Sequence, residues 1–190
     1  GGWALLDAGT WSHAHGDHSH YYPSEPTLSD VLVEADTPGH VVVHDGLVAF
    51  FDDGTGKTVV VEASDWSEAV EHGHVHAVRE YCADKAHHGV AVANSAGELL
   101  VTRGDENTRT GAMILDADGK EIAVNDECPA VHGEAAFEST SGEESVVLGC
   151  ENGALVFHGD QAHKIASPDS YGRIGSVFAA DGNDVAVGDY

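Results

Sequence analysis

An all-β fold is what the sequence predicts, and three observations lead there. The apolar segments are short and rich in β-branched residues, at 41–43, 47–51, 58–61, 99–102, 146–148 and 185–187. Turn clusters such as Asp52-Asp53-Gly54, Ala117-Asp118-Gly119 and Asp181-Gly182-Asn183 separate them. A strand-opening pattern also recurs: His40-Val41-Val42-Val43, His88-Gly89-Val90-Ala91, His132-Gly133-Glu134-Ala135 and Ile174-Gly175-Ser176-Val177, at spacings of about 42 to 48 residues. A helical stripe is found only as a single turn over 66–70.

Each repeat opens on that pattern and continues in order. The second strand falls at 47–51, 98–102, 145–150 and 184–188, and the third at 57–62, 112–116 and 154–158. A weaker fourth follows at 74–79, 121–125 and 163–166. Four antiparallel strands per repeat of this length is the arithmetic of a β-propeller blade. The opening Gly2-Trp3-Ala4-Leu5-Leu6-Asp7 matches the third-strand pattern of Gly111-Ala112-Met113-Ile114-Leu115-Asp116. The expected division is a half blade at 1–36 with a His-rich loop at 12–22, blades at 37–84, 85–128 and 129–170, and a half blade at 171–190. About four blades' worth is present, which reads as part of a larger propeller.

Composition limits what such a fold does. Eight Lys and Arg stand against 33 Asp and Glu, a formal charge of −25. That surface repels phosphate backbones and anionic lipid, which argues against nucleic-acid binding and membrane docking. No run approaches the roughly 20 apolar residues of a membrane helix, so no membrane insertion is expected. Fourteen histidines in 190 residues point instead to metal.

The densest cluster is His13-Ala14-His15-Gly16-Asp17-His18-Ser19-His20. In extended chain, residues two apart share a face, so His13 with His15 and His18 with His20 form chelating pairs, and Asp17 can join or orient them. The second candidate is His40, His88 and His132. The first strand of a blade lines the central channel, so three neighbouring blades aim these imidazoles at one axis, with His87 competing for the inward position and Glu134 able to add a carboxylate. His72, His74 and His76 share same-face spacing on an expected outer strand, a surface site of lower affinity or none. His44, His158 and His163 read as structural. Gly54-Thr55-Gly56-Lys57-Thr58 lacks the earlier glycine of a phosphate loop and precedes a strand, so it is a hairpin turn.

Cys128 precedes the first strand of one blade, and Cys150 ends the second. Antiparallel pairing about 140–142 brings them together as a disulfide, which implies an oxidising compartment. Cys82 is left over.

Two resemblances follow from these residues. His13-Ala14-His15-Gly16-Asp17-His18 fits H-x-H-x-D-H of metallo-β-lactamase-type zinc hydrolases, but that family carries a helix soon after the motif where Pro23 and Pro26 stand here. The stretches His15-Gly16-Asp17-His18 with His20, Pro38-Gly39-His40-Val41-Val42-Val43-His44-Asp45-Gly46, His87-His88-Gly89-Val90-Ala91-Val92, Glu127 to Ala135, Gly149-Cys150-Glu151-Asn152-Gly153 and Ser167 to Gly175 resemble the AztD-type zinc metallochaperones. The resemblance implies a periplasmic, secreted or cell-surface non-enzymatic propeller. It would bind Zn²⁺ and pass it to the solute-binding protein of a zinc ABC transporter. A propeller scaffold without metal is the remaining alternative.

Overall fold

The structure, a computed structural model, describes residues 1–190. It is built of sheets that are antiparallel apart from one short parallel pairing, with one seven-residue α-helix. Strand β1 (Gly2–Asp7) is followed by a hairpin of β2 (Thr10–His15) and β3 (His18–Pro23), after which β4 (Thr27–Glu34) returns to pair β1. The expected His-rich loop is therefore a two-stranded arm. Gly16, at φ 63°, supplies the left-handed residue that opens its two-residue turn.

The first four-stranded sheet runs β5 (Pro38–His44), β6 (Leu47–Asp52), β7 (Lys57–Glu62) and β8 (Arg79–Cys82). Its last strand lies later than the expected 74–79. Helix α1 (Trp66–His72) extends beyond the single turn anticipated, ends on Gly73 in the left-handed conformation, and leaves 74–78 as loop. Pairing of Val60 with Arg79 and of Lys57 with Cys82 then completes the sheet.

The second sheet is β9 (Ala91–Ala93), β10 (Leu99–Gly104), β11 (Arg109–Leu115) and β12 (Glu121–Asn125). His88 precedes β9 instead of opening it. The third is β13 (His132–Glu138), β14 (Glu144–Cys150), β15 (Asn152–His158) and β16 (Gln161–Ala166), with β17 (Gly172–Arg173) beside β15. Strands β18 (Val177–Phe178) and β19 (Val187–Gly188) form a final pair, much shorter than expected from the sequence.

This is a β-propeller arrangement of blades, and its cores lie in the seams. The largest cluster joins Val92, Leu100 and Ile114 of the second sheet, with Val90 just before it, to Val146, Leu148, Leu155 and Phe157 of the third. A second joins Phe51 and Val60 of the first sheet to Ala91, Leu99 and Val101 of the second. Burying apolar faces sheet-on-sheet excludes water from both, at about 25 cal/mol per Å² of apolar surface. Cys128 and Cys150, both fully buried, are joined as a disulfide within the largest cluster.

Candidate metal centre

Each four-stranded sheet begins with an edge strand, β5, β9 or β13, and its histidine lies in or just before that strand. His40, His88 and His132 come together there. Their ring centroids are 5.0, 5.3 and 5.3 Å apart, a nearly equilateral triangle. One ring nitrogen from each lies within 4.8 Å of the other two. His40 and His132 are half-buried, and His88 is the most open.

Nδ1 of each ring is engaged. His40 Nδ1 is 3.2 Å from Glu134 Oε1, His88 Nδ1 is 2.6 Å from Asp53 Oδ2, and His132 Nδ1 is 2.8 Å from the Gly175 carbonyl. A carbonyl or ionised carboxylate can only accept, so each Nδ1 carries the proton and donates it. That leaves the Nε2 lone pair of a neutral ring free in all three cases. Metal-ligating histidines are oriented in this way, by an acceptor on the nitrogen that faces away from the ion. His40 has its pKa raised, chiefly by the Glu134 hydrogen bond. Burial opposes the shift, and the Glu134 and Asp53 charges add to it.

His87 does not share this site. It is 2% exposed, and its ring lies 5.1 Å from that of Phe51. Nδ1 bonds the Lys85 carbonyl and Nε2 lies 3.1 Å from the Thr102 hydroxyl, so both nitrogens are used within the core. Glu134 holds His40 by Nδ1. Sequence reasoning missed Asp53 and Gly175 altogether: Asp53 read only as part of a turn.

The hairpin arm carries a second group. Register places His13 opposite His20 and His15 opposite His18, so these four rings share a face with the stacked pair Trp11 and Tyr22. Ligand atoms of His15, His18 and His20 lie within 4.8 Å of one another; His13 is not part of that triplet. The close pairs therefore form across the hairpin as well as along it. Asp17, in the turn, lies 3.1 Å from His18 Nδ1, and this hydrogen bond lowers its pKa. The whole arm is exposed.

His72, His74 and His76 lie along the end of α1 and the loop beyond it, with neighbouring centroids 6.4 and 5.8 Å apart. His44 and His158 bond Glu144 and Glu143 respectively.

Fold and site together define a β-propeller segment with three imidazoles braced around one point near the inner edges of its blades. Compared with known proteins, the chain is 30% identical over 156 residues to the zinc chaperone AztD of Citrobacter koseri, covering 80% of this chain and 35% of that one. A crystal structure of Citrobacter koseri AztD superposes with a TM-score of 0.73 at 23% identity, covering 98% of this chain and 50% of its own. A structure of apo AztD from the same organism matches with the same TM-score at 22% identity. No protein-family model matches. The chain is thus a relative of AztD, as its sequence resemblance implies, and spans about a third of the curated relative's length. The helix-covered, four-layer architecture of the metallo-β-lactamase-type hydrolases is absent: one short helix accompanies nineteen strands.

Proposed function

We propose that this protein is a zinc-binding metallochaperone, non-enzymatic, that holds Zn²⁺ at His40, His88 and His132. The observation that carries the reading is a triangle of three imidazoles with one ring nitrogen from each within 4.8 Å of the others, while an acceptor on each Nδ1 leaves Nε2 of the neutral ring free. Three imidazoles with an open fourth position suit a tetrahedral ion without geometric preference of its own. Such an ion can exchange ligands one at a time. The arm bearing His13, His15, Asp17, His18 and His20 would capture zinc or hand it on, with the solute-binding protein of a zinc ABC transporter as recipient. The kinship with a zinc chaperone supports this, and the Cys128–Cys150 disulfide favours a periplasmic, secreted or cell-surface setting. No helix is long and apolar enough to cross a membrane. The functional units on this reading are the blades 37–84, 85–128 and 129–170, flanked by the half blades 1–36 and 171–190.

Zinc titration of the untagged protein against the double variant His88→Ala/His132→Ala tests it. Loss of the tightest site in the variant is expected, and unchanged high-affinity binding would remove the central site. Turnover of a chromogenic β-lactam or thioester by the zinc-loaded protein would overturn the non-enzymatic reading.

A further inference from the structure

Asp53 is held with unusual care for a turn residue. Its predecessor Asp52, 6% exposed, accepts hydrogen bonds from the backbone of Asp36, Thr37 and Gly54 and from the Thr55 hydroxyl. These four bonds immobilise the turn after β6. Across from it stands Gly39, where a Cβ would collide with Asp53 Oδ1, so the glycine leaves room for that carboxylate beside His40. Thus fixed, Asp53 reaches out of the first sheet to the start of the second. Oδ1 accepts the Gly89 N–H at 3.1 Å and Oδ2 accepts His88 Nδ1 at 2.6 Å.

We propose that Asp53 is the positioning residue of the metal centre, which sets His88 in its Nδ1-protonated tautomer and turns Nε2 toward His40 and His132. This rests on the zinc reading above and deepens it. His88 has the greatest need of such a brace: its side chain is 40% exposed, against 20% for His40, and no strand holds its backbone. The two bonds of Asp53 fix the ring and its neighbouring peptide together. A ligand whose orientation is settled before the ion arrives loses less rotational freedom on binding. Asp53 itself touches no metal on this account; it acts through His88.

The experiment compares wild type, Asp53→Ala, Asp53→Asn and His88→Ala. Zinc affinity is read by competition with a chelator, and the His88 tautomer by long-range ¹H–¹⁵N NMR without metal at pH 8. Asp53→Ala should weaken zinc about 10- to 100-fold. It should also lose the Nδ1–H signature of His88 while leaving those of His40 and His132. Asp53→Asn, whose amide oxygen can still accept from Nδ1–H, should keep the tautomer and recover part of the affinity. Retention of both tautomer and affinity in Asp53→Ala, alongside weakened binding in His88→Ala, would overturn the proposal. If His88→Ala binds zinc as tightly as wild type, the zinc reading fails instead, and the metal-free tautomer still decides whether Asp53 holds the ring.

Discussion

His44 Nε2 and Glu144 Oε1 meet at 2.6 Å, although a hundred positions separate them in the chain. His44 ends the inner strand of the first sheet and Glu144 opens the second strand of the third, so this bond clasps two sheets that are not neighbours in sequence. His40 and Glu134 join the same two sheets.

The clasp makes stability depend on pH in a definite sense. The Glu144 hydrogen bond, helped by the charges of Glu144, Asp45 and Asp181, raises the His44 pKa, against burial. A group raised on folding contributes most below its unfolded value of about 6.5, and that contribution fades as pH climbs through the higher folded value. His44→Gln should therefore cost about 1 to 2 kcal/mol at pH 5.5 and progressively less in alkaline buffer. Denaturant melts across the pH range check it, and a cost that grows with pH would contradict it.

Zinc binding should run the other way. Zinc needs the neutral imidazole, and Glu134 favours the protonated form of His40. Affinity should begin to fall while pH is still above about 6.5. Glu134→Gln should move that fall to lower pH, which isothermal titration at several pH values would reveal.

The arm and the central triangle are expected to be separable. Replacing His15, His18 and His20 with alanine should remove a weaker zinc equivalent and leave the tight one intact. Transfer to an acceptor protein should slow more than equilibrium binding weakens, as measured by stopped flow with a zinc-sensitive acceptor. Equal transfer rates with and without the three imidazoles would rule the arm out of the hand-off.

Removing the disulfide should be costly. Cys128 and Cys150 are 22 positions apart and fully buried in the largest core cluster. Closing a loop of that length is worth about 3 kcal/mol in the unfolded state. Cys128→Ala/Cys150→Ala should lose a comparable amount, and reductant should lower the melting temperature of wild type but not of the variant.

Much of the fold is legible in sequence because strand periodicity is local: β6, β10, β14 and β15 are runs of buried side chains bounded by turns. The fourth strand of the first sheet lies later in the chain than its sequence pattern suggests, for a physical reason. His72 and His74 look alike in an extended chain, yet the first ends a helix that Gly73 terminates and the second follows it. At the candidate centre, the repeat spacing is enough to single out His40, His88 and His132. The choice between His87 and His88 depends on which ring Thr102 receives, a contact between a strand and the segment before its neighbour. Asp53 and Gly175 act on histidines 35 and 43 positions away, and no periodicity encodes such a pairing.

The braces of the central imidazoles cross between structural units. Asp53 leans from the first sheet onto the second, Glu134 from the third onto the first, and Gly175 from the closing segment onto the third. A slight sliding of one unit past another would pull a ring and its prop in different directions. On the proposed zinc reading, grip on the ion would then gauge how tightly the units are pressed together, and a partner docked against a seam would gain leverage over the ion without touching it.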